Sequence, residues 1–327
     1  MAAKKWMLYV SIFGLLLSSG LPASAEATGS TTLRMVTFQP TKSTATKAAF
    51  LLSQKIQDLS GGKFKIEIVG GPEALPGREQ PLAVRNGVFD MILSPASPSL
   101  IPEALCLMLS DRTPAQERQN GFYDLMAEIY RKQNVFYLGR ASVEIQFHLM
   151  LAKKRIGKLQ DLAGLKLRAS GTTLPLIKAL GAAPVSVPLP HMYTALERGV
   201  IDGTINPETS FKSWGLAEVV KYMVNVPLYG QNMVILVNLD SWNRLSPEYQ
   251  KMMIDVMADL ENNELTEIYA KRKKGSLKIA VDKGVQFIDL PAADAKRLAD
   301  LADEVIWEEV IKKSPDYGPK LRQILTN

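Results

Sequence analysis

The sequence predicts an α/β protein of two similar lobes, each a mixed, mainly parallel sheet flanked by helices, the lobes braced by a long helix. Three observations carry this. Strand-like and helix-like segments alternate from about Thr31 onward, an order that favours parallel sheets. A stretch of the first half recurs in the second: Ala83-Val84-Arg85-Asn86-Gly87-Val88-Phe89-Asp90, running on to Pro95, matches Ala195-Leu196-Glu197-Arg198-Gly199-Val200-Ile201-Asp202, running on to Pro207. Ala, Gly, Val, Asp and Pro recur there at identical spacing. Each copy reads as a helix stopped by Gly, an Asp at the start of a strand, and a strand stopped by Pro. Finally, a helical pattern opened by Ser246-Pro247 runs without proline to about Gly284, interrupted only by Gly275. At 1.5 Å per residue it reaches ~55 Å, enough to lie across two lobes.

The elements follow in order. Residues 33–38 form a short strand. The spacing of Leu52, Ile56 and Leu59 predicts a helix over 47–59, stopped by Gly61-Gly62. Phe64, Ile66 and Ile68 alternate on one face of a strand over 63–69. A turn-rich loop over 70–77 leads to a helix over 78–87 and an apolar strand at 91–93. A helix over 113–132 precedes a strand at 135–139. In the second half, strands are expected at 165–169 and 203–205, with an extended segment at 184–188. Helices are expected at 174–180, 192–198 and 246–284, then a strand at 285–290. A final helix over 292–312 turns Leu298, Leu301 and Val305 inward.

Length and composition set the bounds. The 327 residues are 46% apolar and 22% charged, which suits two globular cores and excludes collagen-like, coiled-coil and disordered classes. The first 25 residues read as a leader: Lys4 and Lys5, an apolar run from Trp6 to Leu17, then Ala23-Ser24-Ala25 for cleavage. The mature chain then starts at Glu26 as an exported soluble protein; an uncleaved interfacial anchor is the alternative. Without the leader's two lysines the balance is 37 cations to 33 acids. That is too mild to argue for nucleic acid, and no basic cluster is interleaved with aromatics. Lys271-Arg272-Lys273-Lys274 reads as a solvated helix face.

Catalytic sets are missing from the sequence. No GxSxG, GxxxxGK[ST] or GxGxxG motif occurs. One cysteine, Cys106, cannot form an intramolecular disulfide, and as a nucleophile it competes with the plainer reading of a buried thiol. His148 and His191 are far apart and lack metal-ligand spacing, so neither a metal nor a cofactor is expected. Binding chemistry is better marked. Arg168 ends a short apolar strand and is followed by Ala169-Ser170-Gly171-Thr172. A guanidinium at a strand end, beside small residues and a helix start at Thr172 or Thr173, suits a carboxylate held bidentately. An interlobe salt bridge is the alternative. Ligands of open α/β sheets sit beyond the carboxyl ends of strands, which places Ser94-Pro95 and Asn206-Pro207 across a cleft.

The block Leu162-Ala163-Gly164-Leu165-Lys166-Leu167-Arg168, then Lys178-Ala179-Leu180-Gly181-Ala182-Ala183-Pro184, Met192 to Gly203 and Asn206-Pro207, resembles a known signature. It is that of the substrate-binding subunits of tripartite ATP-independent periplasmic (TRAP) transporters, the C4-dicarboxylate-binding-protein-like (DctP-like) family. Gly61-Gly62-Lys63, Gly77-Arg78-Glu79-Gln80, residues 83–91, and Trp242 with Leu245 agree with it. The resemblance implies a two-lobed periplasmic-binding-protein-like fold that closes on an organic acid in the periplasm. Such a protein delivers its load to a small and a large membrane subunit, driven by an ion gradient. Lobe I is then 26–145 with about 228–265, and lobe II is 146–227 with about 266–327. The protein is expected to be a monomer, with a dimer as the alternative. An exported sensor subunit presenting its acid to a membrane receptor is the competing function.

By the same resemblance Arg168 clamps the ligand carboxylate and Asn206 adds a hydrogen bond. Gln39, Ser94, Trp214, Gln231 and Asn232 align with cleft-lining positions. The chain also departs from the pattern. A second arginine of many relatives aligns with His148, which is either a pH-sensitive partner or a packed histidine. An aromatic position reads Leu189, a common glutamate reads His191, and a Leu-Pro-Phe run reads Leu107-Met108-Leu109. These differences set the chain apart from ordinary sialic-acid and C4-dicarboxylate binders.

Overall fold

The computed structural model describes residues 30–142 and 145–326; the leader lies outside them. Its strands, in chain order, are β1 (Thr31–Thr37), β2 (Phe64–Gly70), β3 (Met91–Pro95), β4 (Val135–Arg140), β5 (Gln146–Leu151), β6 (Lys166–Ala169), β7 (Ala183–Ser186), β8 (Gly203–Pro207), β9 (Tyr222–Val224), β10 (Tyr229–Gly230), β11 (Met233–Asn238) and β12 (Gln286–Ile288). They form two sheets, ordered β2-β1-β3-β11-β4 and β7-β6-β8-β5-β9-β12, with β10 also paired to β5.

The two orders are one design used twice. In both, two strands run parallel to a central strand (β1 or β6), and the chain returns through an antiparallel strand (β11 or β5) beside β3 or β8. The internal match falls on equivalent turns. Gly87 and Gly199 both sit at φ +74°, a left-handed conformation that only glycine adopts without strain. Behind each, a valine amide closes the helix end on the matched alanine: Val88 N–H on Ala83 O and Val200 N–H on Ala195 O, both at 2.9 Å.

The sheets are mixed, but the mainly parallel expectation needs correcting. Five pairings are parallel and five antiparallel. The antiparallel ones all involve β5 or β11, the strands by which the chain passes from one sheet to the other. Neither has the polar–apolar alternation of a half-buried strand: every residue of β11 is buried.

The long helix is broken as well. Pro247–Asn262 and Glu264–Asp282 meet at Asn263, which leaves helical geometry at φ −122°, ψ −88°. Gly275 lies inside the second segment and does not interrupt it. The first segment packs on the helix Lys47–Leu59 and on β4, the second on the helix Ser210–Ser213, so the pair does span both sheets. The helix predicted over 113–132 is likewise two, Pro114–Gln119 and Phe122–Arg131; the Asn120 side chain restarts it by accepting the Phe122 N–H at 3.0 Å.

Three apolar cores result. One lies between the first sheet and the helices Lys47–Leu59 and Pro247–Asn262, where Trp242 stacks on Phe136 at 3.7 Å between ring centres. A second fills the space under Met192, Phe211 and Ala280. The largest joins both sheets through the C-terminal helices. Ala292–Lys313 packs on Leu174–Ala179 and on the turn Pro102–Met108, burying Leu298, Ala302, Ile306 and Val310 while Leu301 and Val305 stay half-buried. The last helix, Gly318–Thr326, allotted by sequence to the second lobe, packs on Phe122–Arg131 of the first sheet's unit.

Candidate functional site

Register brings the second-lobe residues together. Arg168 on β6 pairs with Thr204 on β8, and Asn206, two residues on, pairs with His148 on β5. Side chains two apart on a strand share a face, and paired residues do too, so Arg168, Thr204, Asn206 and His148 form one polar row. All four are buried.

Arg168 holds its place through one bond, Nε donating to Val187 O at 3.0 Å. Its terminal guanidinium nitrogens bond no described residue, and it makes no ion pair among the described residues. Burial lowers its pKa, and the charge of Arg78 lowers it further. The helix that follows, Leu174–Ala179, is short, and the Ser170 N–H is engaged by Thr173 Oγ1 at 2.9 Å.

Asn206 is fixed from both ends of its amide. Nδ2 donates to Met192 Sδ (3.2 Å) and Ser210 Oγ (3.4 Å), and Oδ1 accepts from Thr204 Oγ1 (3.2 Å). His148 is enclosed: Nδ1 lies 3.1 Å from Val224 O, and Nε2 lies 3.5 Å from Glu208 Oε2. Burial lowers its pKa against the pull of Glu208, which favours the neutral ring. Glu208 was not anticipated from sequence, where it is one acid among many. It is almost wholly buried, accepts the Gln146 N–H with both oxygens at 3.1 Å, and lies 3.2 Å from Lys273 Nζ. It ties the start of β5 to the second segment of the broken helix.

Of the other predicted residues, Gln39, Ser94, Gln231 and Asn232 lie at the first sheet and the crossings, whereas Trp214 lies beside the second sheet. Ser94 is fully buried on β3, its hydroxyl donating to Pro95 O at 3.0 Å. Gln231 and Asn232 precede β11. Gln231 accepts from Ser142 Oγ at 3.0 Å and Asn232 exchanges backbone and side-chain bonds with Ala96, so both stitch the crossings together. Gln39 is half-buried at the end of β1, its carbonyl accepting from Thr37 Oγ1 at 2.7 Å. Trp214 caps Ser210–Ser213, half-buried against the core beneath Phe211.

Cys106 is fully buried and burial pushes its thiol pKa well up, which leaves it unreactive. Among the described residues no group of three His, Cys, Asp or Glu side chains is placed to hold a metal ion, and no helix is long and apolar enough to cross a membrane.

Residues 35–313 match the model of the bacterial extracellular solute-binding proteins, family 7 (DctP). The chain belongs to this family. The solute-binding protein is 28% identical over 232 residues to the monocarboxylate 2-oxoacid-binding periplasmic protein of Nostoc sp., covering 67% of this chain and 63% of that one. With a Haemophilus influenzae relative, 28% identical over 169 residues, the match spans 51% of each chain. Among solved structures it is similar to a TRAP periplasmic solute-binding protein from Desulfovibrio salexigens with bound orotic acid. There the TM-score is 0.79 at 19% identity, over 90% of this chain and 97% of the other. A Rhodoferax ferrireducens TRAP protein with bound malonate gives 0.75 at 20% identity, over 90% and 98%. These structures share its two-lobed α/β fold.

Proposed function

We propose that this solute-binding protein is a periplasmic receptor that captures a small organic acid between its lobes and hands it to a TRAP permease of a small and a large membrane subunit. One observation supports it above the rest: Arg168 is a buried guanidinium whose Nε is fixed on Val187 O while its terminal nitrogens bond no described residue. A buried cation without a counter-charge is unfavourable until an anion supplies one. A carboxylate does so with two parallel bonds. Asn206, locked by Met192, Ser210 and Thr204, lends a rigid wall beside it. Closure then follows from the ligand's preference for the closed arrangement. The relatives named for 2-oxoacids, orotate and malonate accord with an acid ligand.

The test is calorimetry of the mature protein against malonate, orotate and pyruvate, with Arg168→Gln beside it. At least one acid should bind, and the variant should weaken it a hundredfold or more. Binding of that acid by the variant within threefold of wild type overturns the clamp.

A further inference from the structure

β8 enters the second sheet at Gly203 and ends just beyond Asn206, so the loops around Gly203 lie at the opposite end from the Asn206–His148 pair. Register gathers cations there. Leu151, the last residue of β5, and Leu167, near the start of β6, both lie beside Gly203. Ala152 N–H donates to Asp202 O at 2.8 Å, and Asp202 N–H to Lys166 O at 2.7 Å. The run Lys153-Lys154-Arg155-Ile156-Gly157-Lys158, which follows β5, is thereby set at the same end as Lys166. It also meets the turn Arg198-Gly199-Val200 behind the helix Met192–Glu197, where a Cβ added to Gly199 would sit 3.9 Å from Lys153 Nζ.

Burial decides what this end shows to water. Ala152 and Ile156 are buried, which pins the chain on both sides of Lys153, Lys154 and Arg155 and leaves those three exposed. Lys158, Lys166 and Arg198 are exposed too, and so is the apolar Val200. None of the six cations makes an ion pair among the described residues. The nearby carboxylates are engaged by backbone instead. Asp161 Oδ2 accepts the Gly157 N–H (2.9 Å) and the Lys158 N–H (3.2 Å), and Asp202 Oδ2 accepts the Lys166 N–H (2.8 Å). Glu197 is exposed and pairs with none of the six. At the matching end of the first sheet cations do have counter-charges: Arg244 lies 3.7 Å from Asp90, and Lys132 lies 3.5 Å from Glu128. In a chain of nearly balanced charge, six uncompensated cations at one end make a local positive field.

We propose that this end of the second sheet docks on an anionic phospholipid surface, with Lys153, Lys154, Arg155, Lys158, Lys166 and Arg198 meeting headgroup phosphates and Val200 exposed among them. A cluster of about four to eight basic residues on one face suits such a surface, each strengthening partition about fivefold. Four of the six are lysines, point charges on flexible stems. These match phosphates that have no fixed positions, whereas oriented carboxylates on a protein surface favour arginine forks. The Asn206–His148 end points away from the docked face, so docking is independent of whichever solute is carried.

Co-sedimentation of the mature protein with vesicles tests this. The vesicles are phosphatidylcholine alone or with about 30% phosphatidylglycerol. At about 0.05 M salt wild type should prefer the anionic vesicles at least tenfold, and at about 0.5 M the preference should vanish by screening. The triple variant Lys153→Gln, Lys154→Gln, Arg155→Gln should lose at least tenfold in partition at an unchanged melting temperature. A control with the same loss of charge, Lys65→Gln, Lys274→Gln, Lys312→Gln, should stay within threefold of wild type; these lysines are exposed and lie in other elements. Equal losses in the two triple variants would assign the effect to net charge and overturn the proposal. So would an absence of preference for the anionic vesicles, which would turn the patch to an acidic protein surface.

Discussion

Asp90 and Asp202 do the same work in the two sheets. The Asp90 carboxylate accepts the Arg34 N–H at 2.8 Å while its own N–H donates to Arg34 O. The Asp202 carboxylate accepts the Lys166 N–H at 2.8 Å while its N–H donates to Lys166 O. Each aspartate clips the start of one parallel strand to the next, which explains why the residue recurs at identical spacing in the two halves.

The two clips should differ in strength. Asp90 also accepts from Ser241 Oγ at 2.6 Å, tying in the helix Leu239–Asn243, whereas among the described residues the Asp202 carboxylate makes the strand bond alone. A charge-assisted hydrogen bond contributes about 1.5–3 kcal/mol. Asp202→Ala should therefore cost about 1–2 kcal/mol, and Asp90→Ala measurably more, in urea unfolding of the mature protein. Equal losses, or a larger loss for Asp202, would contradict this assignment.

Gly139 on β4 should tolerate no side chain. An added Cβ would sit 2.0 Å from Glu261 Oε1 and 3.0 Å from Met257 Cγ. Glu261 cannot step aside, because it holds Arg118 at 2.7 Å and the Arg140 N–H at 2.5 Å. Overpacking costs about 1–3 kcal/mol, and here a buried ion pair would be disturbed as well. Gly139→Ala is expected to lose at least about 2 kcal/mol by urea midpoint; a loss below about 0.5 kcal/mol would show that the helix Pro247–Asn262 docks more loosely than this.

The same glutamate makes stability depend on pH. Burial pushes Glu261 up to about 7 from an ordinary 4.5, outweighing Arg118, with Glu117 adding to the rise. A carboxyl raised in the folded state contributes stability that is complete below about 4.5 and lost as pH rises through about 7. His148, lowered by burial, has the opposite sign: its contribution is present above about 6.5 and lost on acidification. Comparing wild type with Glu261→Gln cancels the histidine. Between pH 4.5 and 7.5 wild type should lose on the order of 1–3 kcal/mol relative to the variant. Parallel pH profiles for the two proteins would remove Glu261 as the cause.

Much of this was legible in one dimension. The alternation of Phe64, Ile66 and Ile68, the spacing of Leu52 and Ile56, and the matched Gly87 and Gly199 turns all report local geometry, and local geometry is written in neighbouring residues. Arg168 stood out for the same reason, as a cation ending an apolar strand. Leu59 misled: periodicity put it on the inward stripe, yet it is 64% exposed, at the residue where the helix ends, one turn beyond the buried Ile56. The crossing strands β5 and β11 carried no usable pattern, since a strand buried on both faces has no polar phase to read.

The sequence by itself determined an α/β chain with a duplicated β-α unit, a family signature, and an arginine poised for an anion. Tertiary structure alone decided that β5 and β11 return antiparallel, that the long helix breaks at Asn263, and that the last helix packs on Phe122–Arg131. It also decided that Arg168, Thr204, Asn206 and His148 share one face, and that Glu208 encloses the histidine. The physical reason is range. Propensity and periodicity act over one or two turns of chain, whereas register and charge proximity are set by pairings between residues far apart in sequence, fixed only when every buried polar group has found its partner.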